Sequence, residues 1–229
     1  KVDWSFKGIT GKFDRASLQR GFQVYKEVCS SCHSMQYLSY RNLGEPGGPE
    51  FSEQEVKAIA ASVEITDGPD DQGEMFTRPG RPADKFKNPY PNVKASTAAN
   101  GGAYPPDMSV LVKARPGGSN YIYSVLVGYE DPPAGMTLDD GVYYNKYMIG
   151  NKIKMASPLS DDIVEYSDGT QASVDQMAKD VTTFLTWAAE PELEERHRTG
   201  VKVIIYLILL TTLVYLSMKK IWSRVDTEV

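Results

Sequence analysis

The sequence predicts a mainly α-helical head with long loops, followed by one C-terminal transmembrane helix. Three observations carry that reading. Apolar residues recur at helical spacing in several segments, turn formers fill long stretches between them, and a charge-free apolar run lies near the C-terminus. With 229 residues, 41% of them hydrophobic and 24% charged, the chain has enough apolar material for a packed core. Mean hydropathy is −0.38, so most of the chain belongs in water.

The first helix is expected from about Arg15 to Val28. Asp14 suits its N-cap, and Phe13 and Leu18 stand at the two positions of a hydrophobic staple. Leu18, Phe22, Tyr25 and Val28 make one face apolar up to Cys29. Gly21 inside this helix costs about 1 kcal/mol relative to Ala, which calls for a packing reason such as a closely crossing helix. A second helix is expected to open at Ser52, where Ser52 and Glu55 form a capping box, with Val56, Ile59, Ala60 and Val63 as its apolar stripe. The run Tyr121 to Val127 reads equally as helix or strand. A fourth segment starts at Ser173, with Gln176 placed to complete another capping box and Met177, Val181, Phe184, Leu185 and Ala188 along one face. Pro191 either stops it or opens the next helix.

Residues 66–100 are proline-rich with little periodicity, and Gly101-Gly102-Ala103-Tyr104-Pro105-Pro106 continues that character. Loops this long in a compact domain are functional or are held by something else, and a large prosthetic group would hold them. From Val203 to Met218 no residue is charged. At roughly 1.5 Å per residue this run spans about 24 Å, which snorkelling by Lys202 and Lys219 extends towards the ~30 Å of a bilayer core. Trp222 then falls where an interfacial aromatic belongs. The expected division is a head over 1–190, a linker and first anchor turns over 191–202, a span over 203–218 and a tail over 219–229. Basic residues flank the span evenly, so they do not orient it.

Net charge is −5, yet residues 201–229 hold four Lys/Arg against two Asp/Glu, so the head is more acidic than the whole. An acidic head repels nucleic acid and suits a basic protein partner. Glu64, Asp67, Asp70, Asp71 and Glu74 form one acidic loop, a candidate steering surface that reads as well as a plain solvated loop. No signal peptide is visible at Lys1-Val2-Asp3-Trp4, so either the chain is cytoplasmic or a leader has been removed.

The two cysteines both lie in Cys29-Ser30-Ser31-Cys32-His33. This spacing is the attachment signature of c-type haem: two thiols bond the vinyl groups on one porphyrin edge, and the next residue offers an imidazole to the iron. A zinc site would need further ligands, and only His197 remains. A redox dithiol would want a helix opening at the first cysteine, whereas here one ends there. A chance match would leave two thiols at an exposed helix end. Haem of this kind is attached outside the cytoplasm, so the head is expected in the periplasm, with a single pass through the inner membrane and the tail inside. For the sixth iron position, a methionine, a lysine or an open site all stand. Of the eight methionines, Met75, Met108, Met136, Met148 and Met155 are not set aside by position.

At these residues the chain resembles the cytochrome c1 family, haem subunits of the cytochrome bc1 complex, in a bacterial form. The resemblance runs through Cys29 to Met35 with Tyr40-Arg41-Asn42-Leu43, then Pro105-Pro106-Asp107-Met108-Ser109, where the family's usual Leu is Met108. It continues through Ala114-Arg115-Pro116-Gly117-Gly118, Asn120-Tyr121, Gly128-Tyr129 and Pro132-Pro133, and through Ala178 to Val181 and Trp187 to Pro191. It implies a class I cytochrome c-like head holding one haem c, covalent through Cys29 and Cys32, with His33 and Met155 as axial ligands. It also implies Arg115 as a propionate partner, which fits the bidentate match of guanidinium to carboxylate, and Asn100, Pro106 and Tyr121 as pocket residues. Implied partners are cytochrome b, a Rieske iron–sulfur protein and a soluble c-type cytochrome, in a dimeric complex. The chain itself would relay electrons rather than make bonds. It lacks the extra disulfide and the long acidic insertion of some members.

Overall fold

The computed structural model describes residues 2–225, with no side-chain placement for Val225; residues 226–229 of the expected tail lie outside the described residues. Two helices make the frame. The first, α1 (Arg15–Glu27), starts where Asp14 accepts a hydrogen bond from Ser17 N at 3.1 Å, and the staple residues Phe13 and Leu18 are both buried. Its partner is α5 (Val174–Ala189), in which every residue from Met177 to Ala188 except Lys179 is buried. They cross at Gly21. A Cβ there would collide with the Asp180 carbonyl and stand 2.7 Å from Phe184 Cβ, which is the packing reason the glycine called for.

The crossing also buries a charge. Asp180 is fully buried on α5 and accepts from Ser17 Oγ (2.7 Å), Arg20 Nε (2.8 Å) and Gln176 Nε2 (3.0 Å). A carboxylate removed from water is tolerated only with such partners. This network corrects one expectation. Ser173 does cap α5, accepting from Gln176 N at 3.3 Å, but the Gln176 side chain turns to Asp180 instead of closing a capping box. The buried anion outcompetes an exposed backbone amide.

Between them, α2 (Glu53–Ala61) opens with the expected capping box at Ser52 and Glu55. The ambiguous segment is a helix, α4 (Ser119–Val127), beginning two residues earlier than read, at a Gly118 with φ of +52°. It packs on α5, where Ser119 Oγ and Thr186 Oγ1 lie 3.0 Å apart. The proline-rich stretch is more structured than a loop. It contains an antiparallel hairpin, β1 (Glu64–Asp67) with β2 (Phe76–Pro79), and a short helix, α3 (Val93–Ala99), capped by Asn92. Neither shows a buried stripe, because the hairpin stays at the surface and only Ser96 of α3 is buried. A second two-residue pairing joins β3 (Tyr143–Tyr144) to β4 (Lys152–Ile153).

The last element, α6 (Leu193–Val225), runs for 33 residues, roughly 50 Å. It contains the whole expected span, and an 18-residue stretch of it has mean hydropathy 2.1 with none buried against the head. By length and composition this helix can cross a membrane. Its first turn is bolted to the head: Glu194 accepts two hydrogen bonds from Arg15 (2.7 and 2.8 Å) and one from Phe13 N (2.8 Å). His197 Nδ1 meets the Gly11 carbonyl at 3.1 Å, so the second histidine belongs to this joint.

Candidate functional site

Helix α1 stops just before the cysteine motif, and the chain tightens into a single 3₁₀ turn over Cys29–Ser31. Cys32 N and His33 N both donate to Cys29 O, at 3.1 and 2.9 Å. The turn brings both thiols and the imidazole to one place at the end of the helix. The cysteines are not joined in a disulfide. Burial, helped by the neighbouring Cys32, pushes the Cys29 thiol up to about 12. A redox dithiol needs its attacking cysteine shifted the other way, which argues against that reading.

His33 is buried, 8% exposed, and its Nδ1 lies 2.8 Å from the Pro106 carbonyl. A carbonyl only accepts, so Nδ1 carries the proton and Nε2 keeps its lone pair. Burial also lowers the pKa of the ring, which favours the neutral imidazole a metal requires. The turn that supplies this carbonyl is fastened to the segment after His33. Asp107 Oδ2 accepts from Ser34 Oγ (2.8 Å) and Gln36 N (2.9 Å), Oδ1 accepts from Ser109 N (2.8 Å), and Met108 N donates to Ser34 O (2.8 Å). Burial opposes ionisation of Asp107, but the bonds from Ser109, Gln36 and Ser34 outweigh it and hold its carboxyl below the ordinary value.

Cys29, Cys32, His33 and Pro106 therefore form one contiguous unit. Of the other residues read from the sequence, none hydrogen-bonds to that unit among the described residues. Asn100 closes α3, its Nδ2 donating to Ser96 O at 2.7 Å. Arg115 is exposed, donates to Ala114 O at 3.1 Å, and forms no ion pair among the described residues. Tyr121 Oη donates to Met148 Sδ at 3.1 Å. Met155 is half-buried and its carbonyl accepts from Tyr129 Oη at 3.0 Å. Next to it, Lys154 Nζ donates to Gly101 O at 3.2 Å. The loop whose far end holds His33 through Pro106 is thus tied at its near end to the segment carrying Met155.

Of the five methionines left open by position, Met136 and Met155 are both half-buried. Met108 is in the core, Met148 sulfur is occupied by Tyr121, and Met75 is 61% exposed beside the hairpin turn. Asp107, Ser34 and Tyr129 stand in the segments that resemble the family but were assigned no role from sequence. Only Asp107 left a signal, since an Asp two residues before Ser109 is the pattern of an Asx turn.

Residues 4–225 match the Cytochrome C1 family. The chain belongs to that family. Among curated relatives, it is 49% identical over 241 residues to "Cytochrome c1" of Rhodospirillum rubrum, covering 98% of this chain and 88% of that protein. It is 53% identical over 206 residues to "Cytochrome c1-2, heme protein, mitochondrial" of Solanum tuberosum, covering 90% and 78%. To "Cytochrome b/c1" of Bradyrhizobium diazoefficiens it is 50% identical over 239 residues, covering 96% of this chain but only 35% of that longer protein. Membership of the cytochrome c1 family implies a haem c, and the donors present fit one: two unpaired thiols three residues apart, a neutral imidazole fixed through Nδ1, and a guanidinium with no ion pair among the described residues.

Proposed function

We propose that this chain is the membrane-anchored electron-transfer subunit of a quinol–cytochrome c oxidoreductase, passing electrons from a Rieske iron–sulfur protein to a soluble c-type cytochrome. One observation carries the reading: a buried His33, directly after Cys32, has its Nδ1 spent on a backbone carbonyl and its Nε2 left for a metal. When bound, haem c supplies a one-electron Fe(II)/Fe(III) couple.

The chain's own residues do the holding and tuning. Cys29 and Cys32 would anchor the group covalently, and His33 and Met155 would ligate its iron. Support for Met155 comes from the tie of Lys154 to Gly101, on the loop that also restrains His33; Met136, equally half-buried, has no such tie to that loop among the described residues. A thioether ligand paired with an imidazole would favour Fe(II) and raise the potential relative to two histidines. Arg115 pairs a propionate, and Asn100, Pro106 and Tyr121 border the group.

In this reading residues 1–190 are the head, on the periplasmic side of the inner membrane; 191–202 link it to the span 203–218, and 219–229 face the cytoplasm. Partners are cytochrome b and the Rieske protein, in a dimeric complex. The Candida albicans relative, 50% identical over 223 residues, is named a "Cytochrome b-c1 complex catalytic subunit", which supports assembly with other subunits. Purification in mild detergent tests both parts. The preparation should give a pyridine haemochrome of c type and carry a b-type cytochrome and an iron–sulfur protein with it. A colourless polypeptide with two titratable thiols refutes the proposal.

A further inference from the structure

We propose that Asp107 is the positioning residue for His33: it locks the turn that presents the Pro106 carbonyl to the imidazole, and thereby sets how strongly that ring donates to the iron. This rests on the reading of His33 as an iron ligand.

Pro106 has no N–H, so the residue itself offers no backbone donor to fix the turn. The residue after it does the holding. One carboxylate gathers three donors, Ser34 Oγ, Gln36 N and Ser109 N, all within 2.9 Å. Two of these lie one and three residues beyond His33, so the same side chain grips both the turn and the peptide carrying the histidine. The contacts close a ring: the His33 imidazole to Pro106 O, along the chain to the Asp107 carboxylate, to Ser34, and back to His33. Two further bonds span the same seam, Met108 N to Ser34 O at 2.8 Å and Tyr37 N to Ser109 Oγ at 3.1 Å. A lone backbone bond would leave the turn free to pivot. A carboxylate with three donors does not.

The consequence is electronic as well as geometric. Donation from Nδ1–H to a carbonyl gives a ligating imidazole more anionic character and makes it a stronger donor. That stabilises Fe(III) and keeps the potential down. Loosening the turn should therefore raise the potential, which is opposite in sign to losing the thioether on the other face.

The test uses the full-length loaded protein in detergent, as wild type, Asp107→Ala, Asp107→Asn and Ser34→Ala. Two quantities are read: the midpoint potential by redox titration, and the exchange of the His33 Nδ1 proton with solvent by NMR. For Asp107→Ala, exchange should be about tenfold faster, the equivalent of one net hydrogen bond, and the potential should rise. Asp107→Asn keeps one accepting oxygen and should lie between, and Ser34→Ala should shift both readings less, in the same direction. A purely structural role would lower the melting temperature and leave both readings where they are. Loaded Asp107→Ala with wild-type exchange and potential overturns the proposal. Where Asp107→Ala fails to retain haem, Ser34→Ala decides, and wild-type exchange in that variant overturns it. Absence of His33 ligation in the wild type would instead overturn the assignment of the ligand.

Discussion

Gly21→Ala sets two physical effects of opposite sign against each other. In the interior of an exposed helix, replacing Gly with Ala stabilises by about 1 kcal/mol. At the crossing of α1 and α5 the new methyl would stand 2.7 Å from Phe184 Cβ, against at least 3.4 Å for an ordinary contact, and closer still to the Asp180 carbonyl. Both obstacles are main chain or Cβ, so no flexible side chain can swing away. Overpacking of this kind costs about 3 kcal/mol, the upper end of the usual range. The net loss is then about 2 kcal/mol, and for a domain of this size the melting temperature should fall by roughly 4–8 °C. Thermal unfolding of the purified protein, followed by far-UV circular dichroism, measures it. Gly200→Ala in α6 is the control, since nothing lies within 4 Å of a Cβ there; it should leave stability unchanged or slightly higher. If Gly21→Ala melts at or above the wild-type temperature, the close crossing is not what selects glycine.

Met155→Leu should leave haem attached while lowering the midpoint potential strongly; an unchanged redox titration removes Met155 as the ligand. Arg78 reaches Asp84 through two bonds, at 2.7 and 2.9 Å, and holds its carboxyl down to about 2 from 3.8. A depressed carboxylate stabilises the fold above its unfolded pKa and loses that contribution as pH falls through the folded one. Asp84→Asn should therefore flatten stability against pH between roughly 4 and 2, as read from acid unfolding curves. Removing Glu194, as Glu194→Ala, leaves the Phe13 amide without its acceptor and Arg15 with Glu50 as its remaining carboxylate, at the joint between head and α6. Proteolysis within residues 190–200 should become several-fold faster, and a wild-type cleavage rate would show that this joint does not restrain the helix. Raising ionic strength should slow electron exchange with a basic soluble cytochrome if the acidic hairpin steers it. Asp67 contributes least there, since its charge is paired with Arg78.

The haem motif, the long helices and the anchor were readable because each rests on local rules. Five adjacent residues from Cys29 to His33 carry the attachment signature without reference to the rest of the chain. Likewise, Asp14, Ser52 and Ser173 cap helices through bonds that span three residues, and a charge-free run identifies the apolar stretch of α6. By contrast, the hairpin of residues 64–79 and the helix Val93–Ala99 were read as loop, since surface elements without a buried stripe leave no periodic signature.

Other features exist only once distant segments meet. Gln176 abandons its local capping partner for Asp180, whose charge had to be satisfied after burial. His33 finds an acceptor 73 residues away in Pro106, and Asp107 reaches back the same distance to Ser34. The amino-acid order alone carried the attachment motif and an apolar helix long enough to cross a membrane, both written in neighbouring residues. Which nitrogen of His33 remains open, and what holds it so, was decided by tertiary packing, because a hydrogen bond across that separation depends on where the chain returns and not on what lies beside it.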